Sequence, residues 1–480
     1  MQSGEQRNTV GATALPTWLD VLLVVGAAVA IRLAFLTSAP PFLNADSEGY
    51  YLPAHDLVSG LPFDLGLRRT PAYPLFIAGV VSLFGEDLQT LVTVQLLVFG
   101  PLTAILTYAL GRLLTQRLVA VVAGLLAAIS GPLLLYEHYV MTEALFGTLL
   151  VGTLVAVMMA VRRVSWRWAL GSGLFLGAAA LCRPSAQALA PILACALLLG
   201  GGSMRRRWLA AGVMGLGAIV VAVPWMLHNL AQHGTFAIAG NGRFLLSRTI
   251  KQDPGGFSFE APPGLVEDPT RAAARRIVQE EAVRRPPGSS AQRLRDELGL
   301  SEPEAYQTMR DLALEAIRRR PLYYLEGSAR FFIDILVGRP IVVRREGLDW
   351  REVDWERRVR AVLQRPVYPL DARRAQTLLS LYDPGLYGPL VPVLFGAGLA
   401  MAAVGLATRW LLLPGASALM LIAASAALTG PELRYRYPED PLIGLLAVQA
   451  VATGAGLVVN RLRRDRLEAR TDLALADEGT

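Results

Sequence analysis

The sequence predicts an all-α polytopic membrane protein, and three observations carry that prediction. Only 18% of the 480 residues are charged while 53% are hydrophobic, and mean hydropathy is +0.41; a soluble domain carries nearer ~25% charge. Several stretches hold no Asp, Glu, Lys or Arg and reach the ~20 residues that a helix needs to cross a bilayer core. Period-2 alternation is absent, and backbone in lipid must satisfy its own polar groups, which leaves helix. The same figures exclude a disordered chain, a collagen and a coiled coil. Cys182 and Cys195 fall in or beside apolar stretches and offer neither a disulfide framework nor a CxxC metal site. The formal charge of +7 is almost wholly arginine, with Lys251 the only lysine. Much of it flanks apolar runs, so nucleic acid is a poor partner.

Taken in order, the first span is 18–37, interrupted by Arg32. It reads as an uncleaved helix rather than a signal peptide, because the basic n-region is thin and Pro40-Pro41 follows the small-residue site. Segment 71–85 has two prolines near its start and reads as an interfacial or re-entrant helix. Further spans are expected at 88–111, 118–136, 144–161, 168–182, 184–204, 208–227, 384–408, 410–431 and 441–460, making about ten in all. Every second connection is basic: Arg112 and Arg117, Arg162 to Arg167, Arg205 to Arg207, Arg409, then a tail with Arg461, Arg463, Arg464 and Arg466. The positive-inside rule places that set and both termini in the cytoplasm. Segments 38–87, 137–143, 182–186, 228–383 and 432–440 then face outward. Three regions follow: a membrane core over 1–230, an extracytoplasmic and mostly helical insertion over 231–383, and C-terminal helices with a basic tail over 384–480. Within the insertion, helices are expected near 265–285, 302–319 and 322–337.

Polar residues that break this pattern are the candidate site. Asn44-Ala45-Asp46-Ser47-Glu48-Gly49-Tyr50-Tyr51 lies just outside the first span. Asp46 there is either a general base for a hydroxyl acceptor or an N-cap of a short helix running through His55. Tyr136-Glu137-His138-Tyr139-Val140-Met141-Thr142-Glu143 opens the fourth span. Glu143 is favoured there by the helix dipole alone, or it is a second acid facing Asp46. His55 and His138 are further site candidates, although their spacing supports no metal site. Arg183, in a very short turn, needs an anion, either a lipid headgroup or a substrate phosphate. In 432–441 (ELRYRYPEDP), an extended backbone would point Arg434 and Arg436 to one side, suited to bidentate capture of phosphate; salt bridges to Glu432, Glu439 and Asp440 are the alternative. Arg32 either snorkels or pairs with an acid, and Arg68-Arg69 adds charge on the same face. Carboxylates and guanidinium groups at one membrane face suit a sugar phosphate carried on an isoprenoid. Transfer of that sugar needs a base and stabilised charge on the leaving phosphate. A polytopic transporter or a flippase for lipid-linked sugars is the alternative, although transporters tend to hold charge near the midplane in repeated halves.

The order of these motifs resembles the bacterial branch of the dolichyl-phosphate-mannose–protein mannosyltransferase superfamily, glycosyltransferase family 39, which includes aminoarabinose transferases. The marks are NADSEGYY at 44–51, RRTPAYPLF at 68–76, Thr142-Glu143, Cys182-Arg183-Pro184, PWMLHN at 224–229 with Gly234, and ELRYRYPEDP at 432–441. The resemblance implies a GT-C-like fold in a bacterial plasma membrane and an inverting glycosyltransferase with its active site on the extracytoplasmic side. It implies catalytic roles for Asp46 and Glu143, and donor-phosphate contacts from Arg69, Arg183, Arg434, Arg436 and Tyr437, with Glu48 nearby. The implied partners are a polyprenyl-phosphate sugar, the bilayer and a hydroxyl acceptor on protein, glycan or glycolipid. No cofactor is identified, and a divalent cation, Mg or Mn, is left open. His228 stands where the family usually has Arg.

Overall fold

The computed structural model describes residues 17–477 except 45, 241, 253–255, 262–266, 284–289 and 342–370. The expectations for the N-terminus, for Ala45 and for the part of the insertion at 342–370 lie outside the described residues. Among those residues the regular elements are all helical, and the only β pairing is two isolated bridges. Helices α1 (Thr17–Leu36), α4 (Leu88–Leu114), α7 (Glu143–Arg163) and α10 (Met204–His233) form the long apolar frame. Six segments are long and apolar enough to cross a membrane: 17–36, 88–114, 143–163, 204–233, 409–428 and 437–468. The other expected spans are shorter helices. α3 (Ala72–Phe84) has 13 residues, so it rises ~20 Å against a hydrocarbon core of ~30 Å, too short to span alone.

α8 (Trp166–Cys182) packs between α7 and α10. A small-xxx-small pair lets the backbones touch, because Cβ atoms at Gly173 and Gly177 would meet the Met214 and Ala218 carbonyls of α10. The expected span 118–136 is instead two helices, α5 (Arg117–Ala128) and α6 (Gly131–His138). The break has a local cause. Ser130 caps α6 through Leu133 N, with Pro132 in its first turn. The Gly131 amide donates to the Tyr382 carbonyl at 2.8 Å, and a Cβ there would overlap the Leu379 carbonyl. The expected span 184–204 likewise becomes a 3₁₀ turn over Pro184–Leu189 followed by α9 (Ala190–Leu198).

The polar region contributes α11 (Gly242–Gln252), α12 (Pro269–Val283), α13 (Ser290–Leu298) and α14 (Glu302–Arg319). They share an apolar core that includes Leu246, Phe257, Val278, Leu294 and Leu312. α15 (Pro321–Val337) instead packs its Phe331 and Ile335 into the core of the apolar helices. The chain closes with α16 (Ala372–Leu379), α17 (Leu390–Ala403), α18 (Leu412–Leu428) and α19 (Asp440–Asp477).

Arg32 settles its own case. It is fully buried on α1 and grips Glu137 with Nε and Nη2, both at 2.8 Å. Its Nη1 donates to the Ala128 carbonyl left free by the end of α5. Pairing wins over snorkelling because the acid and an orphan carbonyl both lie within reach.

Candidate functional site

Chain direction sorts the charges to two ends of the bundle. The end of α4 and the starts of α1 and α5 meet where Arg117 pairs with Asp20 at 2.8 Å. At the opposite end, the segment after α1, the start of α7, the end of α8 and the 3₁₀ turn Leu433–Tyr435 converge on a cavity of about 500 Å³. Asp46, Arg69, Glu143, Arg183 and Arg434 all line it, together with Tyr50, Thr142 and Tyr435.

Asp46 is the hub. Asn44 Oδ1 accepts the Asp46 amide at 2.8 Å, which fixes the turn into α2 (Glu48–Val58). The Asp46 side chain does not cap that helix. Its Oδ1 accepts from Arg69 at 2.6 Å and Arg68 at 2.9 Å, and its Oδ2 from Arg434 at 2.8 Å. Burial raises the Asp46 pKa, but Arg69 and Arg434 overcome it and hold the carboxyl well below the usual carboxylate range. Arg69 is itself oriented by the Tyr50 hydroxyl at 2.8 Å and by the Tyr50 ring beneath it. Arg434 also meets Glu432 at 2.6 Å, and Glu432 is held in turn by Lys251 at 2.7 Å.

The second acid sits deeper. Glu143 opens α7 and accepts from Arg183, whose Nε donates to Thr142 Oγ1 at 3.2 Å. Arg183 is sandwiched between the rings of Phe146 and Tyr435. Among the described residues Glu143 Oε2 has no hydrogen-bond partner although it is buried.

The remaining expected site residues lie elsewhere. Arg436 and Tyr437 are buried outside the cavity lining. Residues 433–435 and 437–439 are 3₁₀ turns rather than an extended strand, so Arg434 and Arg436 diverge. Arg436 donates from Nε to Asp440 at 2.9 Å and from Nη1 to the Val337 carbonyl at 2.7 Å, while Tyr437 packs on Tyr136. His138 donates to the Ala39 and Pro40 carbonyls. Burial holds its pKa down to about 4, so it is neutral and structural at neutral pH. His55 pairs with Glu86 at 2.6 Å away from the cavity, and Glu48 begins α2 without lining it.

The described residues of the cavity do not fit a divalent cation. Among the described residues no three His, Cys, Asp or Glu side chains could hold a metal ion. Asp46, the natural oxygen ligand, is ringed by guanidinium groups that repel a cation.

Sequence reasoning missed Arg243, Lys251 and Arg310, which also line the cavity. They lie in a polar region rich in arginine, where nothing local distinguishes an inward residue from a solvated one. The PWMLHN motif turns out to be a clasp. Trp225 Nε1 donates to the Ile238 carbonyl at 3.1 Å and Asn229 to Ala237 at 2.8 Å, which returns the chain toward α11.

Residues 68–228, about a third of the chain, match the sequence family described as dolichyl-phosphate-mannose-protein mannosyltransferase. No curated protein matches the chain. Among solved structures, an oligosaccharyltransferase from Archaeoglobus fulgidus, in complex with an inhibitory peptide and a dolichol-phosphate, is similar at 14% identity and a TM-score of 0.49. The alignment covers 94% of this chain but only 51% of that one, so this chain spans about half its length. ArnT from Cupriavidus metallidurans, bound to undecaprenyl phosphate, is similar at 16% identity and a TM-score of 0.39, covering 92% and 80% of the two chains. The resemblance carried by the sequence motifs therefore holds over 68–228, where the chain is similar to the dolichyl-phosphate-mannose–protein mannosyltransferase family.

Proposed function

We propose that the protein is an integral-membrane glycosyltransferase that moves a sugar from a polyprenyl-phosphate donor to a hydroxyl acceptor on the extracytoplasmic side. The family match over 68–228 supports the reaction class. The observation that carries the assignment of parts is the convergence of Asp46 with Arg69 and with Arg434, 388 positions away, on one cavity. A single displacement suits this set. The acceptor oxygen forms a bond to the anomeric carbon as the bond from that carbon to the phosphate oxygen breaks. Asp46 takes the acceptor proton, and the bonding pair leaves with the lipid phosphate. Arg69 and Arg434 are preorganised to take that growing charge. Glu143 and Arg183 form the floor, where the unbonded Glu143 Oε2 is free to accept a sugar hydroxyl. One displacement inverts the anomeric centre.

Asp46→Asn removes the base while keeping the size of the side chain. General-base catalysis contributes roughly 10²–10⁴-fold, so transfer from a panel of polyprenyl-phosphate sugars falls by at least about 100-fold while donor binding persists. Mass spectrometry of the products reads the outcome. Near wild-type turnover in this variant removes Asp46 as the base. Uptake of donor into proteoliposomes without a new glycosidic bond would favour the flippase instead.

A further inference from the structure

The cavity holds more positive charge than the donor needs. Seven cationic side chains line it (Arg68, Arg69, Arg183, Arg243, Lys251, Arg310 and Arg434) against three acids, Asp46, Glu143 and Glu432. A sugar phosphodiester brings one negative charge, and the departing phosphate monoester about two. The acids already have partners. Asp46 holds Arg68, Arg69 and Arg434, Glu143 holds Arg183, and Glu432 holds Lys251 and Arg434. Arg243 and Arg310 meet no acid of the cavity among the described residues. Arg243 lies near the Tyr306 phenol, which Glu302 also faces, and among the described residues Arg310 meets its exposed chain neighbour Asp311.

The backbone that carries these cations is built into the fold, although the Arg310 side chain is half-exposed. The loop carrying Arg68 is stitched to the polar helices, since Gly240 N donates to the Leu67 carbonyl at 2.7 Å and Leu67 N to Glu302 at 3.3 Å. α11 crosses α14 so closely that a Cβ at Gly242 would overlap the Tyr306 carbonyl and lie 3.1 Å from Arg310 Cβ. Arg243 and Arg310 therefore sit on crossing helices that both face the cavity, and Arg243 lies within electrostatic reach of Arg68. Burial first, then the charges of Arg69 and Arg243, push the Arg68 pKa down to about 10. Like charges fixed together at a concave surface are relieved by an anion.

We infer that Arg68, Arg243 and Arg310 form a second anion subsite of this cavity, which binds a phosphate or carboxylate group of the acceptor, apart from the donor phosphate. The assignment to the acceptor rests on the transferase reading above. It places the acceptor's negative group on the α11–α14 wall and its hydroxyl toward Asp46.

The test uses the full chain in nanodiscs, with Arg310→Gln and the pair Arg243→Gln/Arg310→Gln, monitored for folding by size exclusion and thermal unfolding. The probes are inorganic phosphate, glucuronate, neutral methyl glucoside and, separately, undecaprenyl phosphate. Wild type is expected to bind phosphate and glucuronate but not methyl glucoside at the same concentrations. The double variant is expected to bind both anions at least tenfold more weakly while undecaprenyl phosphate stays within twofold. Should the double variant not fold, Arg310→Gln alone, on an exposed side chain, is expected to weaken phosphate at least threefold. Unchanged phosphate and glucuronate affinity overturns the subsite. A tenfold loss confined to undecaprenyl phosphate also overturns it, because the wall then serves the donor. Wild type that binds phosphate but no undecaprenyl phosphate instead fails the transferase reading and leaves the anion wall standing.

Discussion

A carboxylate that accepts from three guanidinium groups is a weak proton acceptor until one of them is drawn away. Asp46 is in that state, its pKa held well below the usual carboxylate range by Arg69 and Arg434 against the opposing effect of burial. A donor phosphate that recruits Arg69 and Arg434 removes that restraint, and the Asp46 pKa rises. The acid limb of kcat/KM reports the free enzyme and that of kcat reports the bound complex. The kcat limb is therefore expected at higher pH than the kcat/KM limb. Arg434→Gln, which removes one of the lowering charges, is expected to move the kcat/KM limb upward. A kcat limb below the kcat/KM limb would show that Asp46 is not the titrating base. Asp46 was legible in the sequence because an acid straight after an apolar span needs an account. Its depressed pKa was not legible, because it depends on Arg434, 388 residues away. Arg436 is a related case: alternation along an extended chain predicts that it shares a side with Arg434, and two 3₁₀ turns send it elsewhere.

At the scale of elements, hydropathy located the apolar segments well and their interruptions poorly. The break between α5 and α6 is decided by partners from elsewhere: the Tyr382 carbonyl, the close approach of Leu379, and Arg32 on the Ala128 carbonyl. An apolar run does not announce such partners, so 118–136 reads as one span. The Arg32–Glu137 pair ties α1 to α6 and is buried at both ends, with side chains 0% and 3% exposed. Removing one partner of a buried pair typically costs about 3–5 kcal/mol, since the other charge is left uncompensated. Glu137→Gln is expected to lower the thermal unfolding midpoint in detergent strongly. Arg32→Met/Glu137→Met, which removes both charges, is expected to recover part of the loss but not all, because the Ala128 carbonyl stays unpaired. A double variant no better than either single variant would mean that the pair matters through something other than charge compensation.

Over the whole molecule, the cavity exists only because the polar helices are fastened to the apolar bundle. The groups proposed to face the donor come from the segment after α1, the loop before α3, the α7–α8 end and the 3₁₀ turn before α19, while the cations of the inferred acceptor wall come largely from α11 and α14. Arg248 makes the principal fastening. It is fully buried, donates to the Ala426 carbonyl of α18 at 2.7 Å and to Ser328 of α15 at 2.8 Å, and lies against the rings of Tyr324 and Phe331. Burial presses its pKa down to about 10, so it stays charged at neutral pH and needs every one of these acceptors. α11 carries Arg248 between Arg243 and Lys251, both of which line the cavity, so the anchor and the wall move as one helix. Glutamine at 248 cannot reach α18 and α15 together. Arg248→Gln is therefore expected to loosen α11 and to release Lys251 from Glu432. Because Lys251 is the only lysine in the chain, an amine-reactive label followed by mass spectrometry of its peptide reads this directly. Labelling is expected to speed up several-fold in the variant, alongside faster limited proteolysis between α11 and α15. Unchanged labelling with intact Arg243 and Arg310 binding would show that α11 is held by its apolar face alone, through Leu246 and Ile250. The two halves of the cavity would then be joined by packing rather than by the buried arginine.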